Sequence, residues 1–455
     1  MGNTAEKLQL ADPRTGLLRG EVVNSRQHEI ARTVERARMA GGIWARLTPK
    51  ERECRLSRLA GLIEGHVDDY IQAESAGTGK PAAEVAGEVA QAADLFRFYA
   101  WAARTQQSVA AGSFIAEHES WVRWEPMGVV GAILPWNYPL LMAAWRCAPA
   151  LAAGNAVVVK PAESTPDSAM LLAEHAGQAL GADVLQCATG DRKAGRLLVA
   201  ADIDAIAFTG SLAGGLEVAR TAGVRRISLE LGGNAPVIVL PDAPDNTYAD
   251  LAAASTYNAG QSCAAPARVI TLEQNYHEVV PRLVDSMRNK TAARDFGPLN
   301  NPDQLRRCAG LLNESRAAVK ETGPCAPVGA ETGGFWQEAT VLADLPDDDR
   351  AVTEEVFGPV LTVQHAPDLA TALRMANGQK QALAASVWTT DLDRALGIAS
   401  EFNAGEVWIN CHMVQTAELP HSGRGCSGSG TDLSTLALHD YQRPKTVTVR
   451  LRSLS

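Results

Sequence analysis

A chain of 455 residues, 46% apolar and 21% charged, is long enough for two or three domains and too apolar to stay disordered. Its formal net charge of −10 disfavours non-specific nucleic-acid binding, and no run approaches the roughly 20 apolar residues of a membrane span. The cysteines, at 54, 147, 187, 263, 308, 325, 411 and 426, form no C-x-x-C pair and have no companion histidine pairs, which argues against a metal site and a disulfide framework. The opening Met1-Gly2-Asn3-Thr4-Ala5-Glu6 has neither a basic-then-apolar leader nor the serine or threonine that myristoylation wants where Glu6 stands, so a cytoplasmic protein is expected.

Along the chain, residues 29–37 and 55–63 return apolar side chains every three or four positions and predict helices, the second opened by Thr48 as N-cap and Pro49 at the first helical position. Residues 114–125 alternate partially around a polar turn, as a β-hairpin does. Val129–Leu134, Ala156–Val159 and Ala205–Phe208 are continuous apolar runs, the pattern of parallel strands covered on both faces. Their alternation with helical segments predicts a doubly wound α/β sheet. A fresh set of strands, including Pro236–Leu240 and Arg268–Leu272, marks a second α/β unit over 231 to about 425. The acidic stretch Asp344–Arg350 reads as a solvated loop, and Lys445–Leu451 alternates as a strand.

Two segments carry chemistry. Cys263 stands behind a Gly-Gln turn and ahead of an apolar run, where a nucleophile would sit, and Glu230 lies between apolar neighbours and a glycine pair. A thiol that attacks and a carboxylate that handles protons make a covalent-catalysis pair; the competing readings are a buried filler cysteine and a carboxylate ending a surface strand. Thr209 to Gly215 form a glycine-rich strand-to-helix turn, with Gly210 and Gly215 flanking a helix start, which suits a pyrophosphate without matching G-x-G-x-x-G.

Six motifs follow one another: Pro135-Trp136-Asn137-Tyr138-Pro139, Lys160-Pro161-Ala162-Glu163, Phe208-Thr209-Gly210-Ser211, Glu230-Leu231-Gly232-Gly233, Gly260-Gln261-Ser262-Cys263 and Glu354-Glu355-Val356-Phe357-Gly358-Pro359. With 33 residues from Glu230 to Cys263 and 92 from Cys263 to Glu355, the sequence resembles the aldehyde dehydrogenase superfamily over nearly its whole length. The resemblance implies a Rossmann-like NAD-binding domain over 1–112 and 127–229, a catalytic α/β domain over 230–425, and a β oligomerisation arm over 113–126 and 440–455 that builds a homodimer or homotetramer. It implies Cys263 as nucleophile, Glu230 as base, and the Asn137 amide with the Cys263 N–H as oxyanion donors. Trp136 and Ser211 would contact the pyrophosphate, Lys160 and Glu163 the adenosine ribose, and Glu355 and Phe357 the nicotinamide ribose and ring. A carboxylate at the ribose favours NAD, with NADP possible because Lys160 is adjacent.

The implied reaction oxidises an aldehyde to an acid through a thiohemiacetal and a thioester, and the presence of Glu230 favours hydrolysis over transfer to coenzyme A. A Cys-His-Asn hydrolase is an alternative, but none of the histidines stands in a motif that supports it. A catalytically silent member acting as a binding or structural protein is another. Many relatives carry lysine where this chain has Asn234. The ending Leu419–Gly430, with Asp432-Leu433-Ser434 and Leu438-His439-Asp440-Tyr441, is similar to the aminobutyraldehyde and betaine-aldehyde branch. Against it, the acidic pair that some aminoaldehyde oxidisers place after a tyrosine pair is missing at Phe98-Tyr99-Ala100-Trp101, so uncharged aldehydes stay an alternative. Trp101, Tyr138 and Trp145, with Ser262 beside the thiol, are the expected substrate-pocket residues, the aromatic faces holding an ammonium by cation–π attraction.

Overall fold

A computed structural model describes residues 6–326 and 333–451. The opening five residues, read above for leader and lipid signals, and the last four of the expected arm lie outside the described residues. The helices Gln27–Trp44 and Pro49–Gly65 form where the apolar periodicity predicts them. Thr48 closes a reciprocal cap: its hydroxyl accepts from the Glu51 N–H at 3.3 Å, and the Glu51 carboxylate accepts from the Thr48 N–H at 2.7 Å. The stripe Leu56, Leu59, Ala60 and Ile63 is buried against the helix Ala82–Thr105 and the strongly apolar helix Pro139–Ala152. Among the described residues no helix is long and apolar enough to cross a membrane.

A five-stranded, all-parallel sheet runs in the order Leu185–Cys187, Ala156–Lys160, Val129–Ile133, Ala205–Gly210, Arg226–Leu231. The chain starts at the central strand, builds outward on one side, then crosses to the other. The strand order therefore reverses at the carboxyl ends of Val129–Ile133 and Ala205–Gly210, which is where open α/β sheets bind ligands. A seven-stranded sheet takes the order Val319–Thr322, Thr340–Ala343, Val360–Ala366, Pro266–Leu272, Ala235–Val239, Ala384–Trp388, Glu406–Ile409, and only its first pair is antiparallel. Cys263 precedes the strand at 266 and Phe357 the strand at 360, so the amino edge of this sheet meets the carboxyl edge of the other.

A third, antiparallel sheet pairs Gln442–Arg450 with His118–Pro126, in the register Val447 to Trp121, and adds the short edge strand Gly112–Ile115. Phe114 and Ile115 are exposed on that edge. The stretch Asp344–Arg350 corrects the expectation of a purely solvated loop. Asp349 is buried, accepts from the Arg316 N–H at 2.7 Å, and caps the short helix Arg350–Thr353 through the Ala351 N–H at 2.8 Å.

Candidate active site

A cleft of about 960 Å³ opens between the two large sheets. Of the residues singled out in the sequence, Trp136, Asn137, Tyr138, Trp145, Gly210, Ser211, Glu230, Ser262, Cys263, Glu355 and Phe357 line it. Loop backbone brings them together. Asn258, Ala259 and Gly260 adopt successive left-handed conformations, with φ of 48°, 52° and 71°, and this tight coil turns Cys263 into the cleft. At Gly260 a side chain is excluded twice over, because a Cβ would also lie 2.1 Å from the Gly358 carbonyl oxygen. Side-chain amides fix the coil. The Asn258 Nδ2 donates to the Asn137 carbonyl at 2.9 Å, and the Gln261 carboxamide oxygen accepts from the Asn300 N–H at 2.8 Å.

Asn137 is buried and donates one N–H to the Gln261 carbonyl at 2.9 Å, which fixes the amide and leaves its second N–H for a ligand. The pair Gly232-Gly233 serves close approach. A Cβ at Gly232 would stand 2.1 Å from the Glu355 Oε2, and one at Gly233 would stand 2.1 Å from the Cys263 carbonyl oxygen. Glu355 accepts from the Gly233 N–H at 3.1 Å; burial, with the Glu230 charge adding to it, pushes its carboxyl up to about 8. Ser211 caps the helix Leu212–Ala222 at the cleft, its hydroxyl accepting from the Gly214 N–H at 3.2 Å. Trp136 meets Phe357 edge to face with ring centroids 5.5 Å apart.

Cys263 is half-buried at the floor of the cleft, and burial together with the Glu230 charge pushes its thiol up to about 12. Glu230, the penultimate residue of the strand Arg226–Leu231, is 3% exposed, and its Oε1 has no hydrogen-bond partner among the described residues. Beside both stands a residue that motif reasoning set aside. His421 is 1% exposed, with Nε2 3.8 Å from the Glu230 Oε1 and Nδ1 2.9 Å from the Glu406 Oε2. The side-chain donors of Glu230, Cys263 and His421 all lie within 4.8 Å of one another. The sequence reading found no motif to single out a histidine for the thiol, and the structure supplies His421. The segment after residue 419 folds back on the strand of Glu230, bridging Glu230 to Gly428 and His421 to Asp432, so no sequence spacing marks the pairing. Buried Arg146 ties this segment down by an ion pair of 2.9 Å to Asp432 and donates to Thr209 Oγ1 at 2.9 Å and Ser228 Oγ at 3.0 Å.

Other expected residues stand apart from the cleft. Trp101 is 55% exposed on the outer face of the helix Ala82–Thr105, stacks with the Arg104 guanidinium and does not line the cleft among the described residues, so the substrate-pocket assignment fails for it. Tyr138 lines the cleft, but the Lys80 ammonium, itself in a buried 2.7 Å pair with Glu88, already lies 3.9 Å from its ring centroid. Gly215 packs under Leu231, where a Cβ would stand 2.4 Å from a methyl group, so its role is helix-to-strand packing. Lys160 and Glu163 sit past the end of the strand Ala156–Lys160 as a 3.6 Å ion pair, the lysine buried and the glutamate exposed. Asn234 is held by two hydrogen bonds: its Nδ2 donates to the Val352 carbonyl at 2.8 Å, and its carbonyl accepts from buried Arg268 at 3.1 Å.

Comparison with known proteins agrees with this arrangement. The model of the aldehyde dehydrogenase family matches residues 1–447. Human retinal dehydrogenase 2 is 34% identical over 458 residues, covering 97% of this chain and 88% of its own. Among solved structures, γ-glutamyl-γ-aminobutyraldehyde dehydrogenase from Burkholderia cenocepacia superposes with a TM-score of 0.93 at 35% identity, over 98% of this chain and 94% of that one. Betaine aldehyde dehydrogenase from Staphylococcus aureus, in complex with NAD+, gives 0.94 at 27% identity, over 99% and 92%. With the family match spanning nearly every residue and the fold shared end to end, the chain belongs to the aldehyde dehydrogenase family.

Proposed function

We propose that this protein oxidises an aldehyde to the carboxylic acid with NAD as electron acceptor. The observation that carries the reading is the cluster at the cleft floor: a half-buried thiol, a buried carboxylate with an unpartnered oxygen, and a fixed amide with one N–H to spare.

The cleft fits a nicotinamide dinucleotide. Ser211 and the N-terminus of the helix Leu212–Ala222 offer backbone donors to a pyrophosphate, and Trp136 and Phe357 flank the path onward. The Glu355 carboxyl, held by Gly233 and pushed up by burial to about 8, offers a hydrogen-bonding partner for a ribose hydroxyl. Lys160 and Glu163 hold the adenosine ribose in this reading, which favours NAD over NADP. Bound there, the dinucleotide supplies the two-electron acceptor.

The remaining steps belong to the chain's own residues. Cys263 bonds to the aldehyde carbon as its thiol proton passes to Glu230, directly or through water. The Asn137 N–H and the Cys263 backbone N–H hold the oxyanion that results. After oxidation the acyl group is a thioester on Cys263, and Glu230, having released the thiol proton to solvent, draws a proton from the water that hydrolyses it.

For the substrate we infer a small or medium aldehyde with a terminal amine or trimethylammonium group. The C-terminal motif supports this class, and so does Asp250, an exposed carboxylate of the helix Thr247–Thr256 that lines the cleft. With Trp101 outside the cleft and Tyr138 already facing Lys80, charge attraction to Asp250 replaces most of the aromatic recognition, and Trp145 and Ser262 contribute surface nearer the thiol. Absorbance at 340 nm with NAD and an aldehyde panel tests the reaction; no NADH from any member would defeat it. A higher kcat/KM for pentanal than for 4-aminobutanal would defeat the substrate class alone, and Asp250→Asn should erode the preference for the cation. The resemblance further supports assembly into a cytoplasmic homodimer or homotetramer through the sheet formed by 112–115, 118–126 and 442–450, and light scattering reads the mass directly.

A further inference from the structure

The geometry points to His421, held by Glu406, as a fixed cation that the Cys263 and Glu230 side chains share, so that a thiolate forms as Glu230 takes up its proton without leaving an unbalanced buried charge. The inference rests on the thiol chemistry proposed above and adds a positioning residue that this chemistry does not require.

Among the buried polar atoms of the site that lack hydrogen-bond partners, the Glu230 Oε1 and the His421 Nε2 face each other at 3.8 Å with the thiol in the same small cluster. The far side of the ring is anchored. His421 Nδ1 lies 2.9 Å from the Glu406 Oε2, and the Gln415 Nε2, 3.0 Å from both Nδ1 and that oxygen, donates to the carboxylate. Trp145 closes one side edge-on, with centroids 5.2 Å apart. The His421 backbone exchanges two hydrogen bonds of 2.8 Å with Asp432, so the ring is fixed before any ligand arrives.

The charges around the ring come from every element packed on it. Glu406 is at its Nδ1, and Glu230 and Cys263 are at its Nε2. Behind them Asp432 is paired with Arg146, and Asp440 and Tyr441 lie beyond. Burial works against a charged imidazole here, but the thiol and the two carboxylates outweigh it and carry His421 well above the usual imidazole range. As imidazolium it has two N–H donors, Nδ1–H toward Glu406 and Nε2–H toward Glu230 or Cys263.

The step balances within the cluster. At rest the Glu230 carboxylate faces the imidazolium and Cys263 is a thiol. The thiol S–H bond breaks, the proton bonds to a Glu230 oxygen, and the electron pair stays on sulfur; the Nε2–H then faces thiolate instead of carboxylate. One positive and one negative charge are present before and after. Without the imidazolium the same transfer would leave the negative charge on a buried sulfur with no adjacent cation, which burial penalises.

Alkylation of Cys263 by iodoacetamide, read by peptide mass spectrometry on the full chain with EDTA and without cofactor or aldehyde, tests this apart from any dehydrogenase activity. At pH 7, His421→Phe should react at least about tenfold more slowly than wild type, with its rate–pH profile displaced upward by at least about one unit, a tenfold change in thiolate fraction per unit. Glu406→Gln, at a half-buried site where the amide oxygen still accepts from Nδ1–H, should slow the reaction in the same direction by a smaller factor. A folded His421→Phe whose profile superposes on wild type within twofold overturns the inference. If that variant does not fold, an unchanged profile for Glu406→Gln overturns it instead. Absence of NADH production in the aldehyde panel would defeat the proposed function while leaving this result to stand or fall alone.

Discussion

Replacing Asn137 with alanine separates the oxyanion role of this residue from its structural one. The side-chain amide spends one N–H on the Gln261 carbonyl and has one left, so the substitution removes a single donor from the reacting oxygen. Loss of one such donor typically costs about 10²–10³ in kcat, equivalent to about 2.7–4 kcal/mol. The structural loss is smaller. The Gln261 carbonyl still accepts from the Asn258 Nδ2 at 3.2 Å, so no buried acceptor is orphaned and about 1 kcal/mol of stability is at stake. For a chain of this length that lowers the unfolding midpoint by only about 1 °C. Stopped-flow absorbance at 340 nm under saturating NAD and aldehyde, paired with a thermal melt, reads both quantities. A kcat within about threefold of wild type, or a raised KM with kcat unchanged, would refute the oxyanion assignment. A melt lowered by more than about 5 °C would instead trace the loss to collapse of the left-handed coil at 258–260.

Cys263→Ala should abolish NADH production altogether, whereas Glu230→Gln should retain slow turnover limited by proton handling or deacylation; wild-type rates from the alanine variant would remove the nucleophile. NAD should give a higher kcat/KM than NADP, and Glu163→Ser, which removes the exposed partner of Lys160, should narrow the ratio; a wild-type preference for NADP would contradict the ribose assignment. Glu74 is 1% exposed and burial raises its carboxyl to about 7 from 4.5, so between those pH values the folded chain binds more protons than the unfolded one. Stability from this group is therefore present at low pH and lost as pH rises through about 7; urea melts of Glu74→Gln should show a flatter pH dependence than wild type, by at most about 3 kcal/mol, and an identical dependence would refute the shift.

Local pattern made much of this molecule legible from sequence. The continuous apolar runs at 129, 156 and 205 mark strands because a strand covered on both faces can be apolar at every position, and Thr48-Pro49 marks a helix start because capping is a contact between near neighbours. The motifs around Cys263, Glu230 and Asn137 were readable because their glycines and amides answer a local geometric need, as the φ of 71° at Gly260 shows, while the roles expected of the three came from the family resemblance. What the sequence by itself could not determine depends on side chains brought together from distant segments. His421 reaches the thiol only because residues 419–432 fold back onto the strand of Glu230, and Arg146 crosses to Asp432 from a helix far upstream. Trp101 and Tyr138 mark the same limit. Their identity promised a cation-binding face, but the rotation of one helix turns Trp101 to solvent, and a buried lysine from another segment occupies the face of Tyr138. A motif constrains its own backbone within a few residues, whereas the direction in which a helix points a side chain, and the charge it meets there, are decided only when the elements pack.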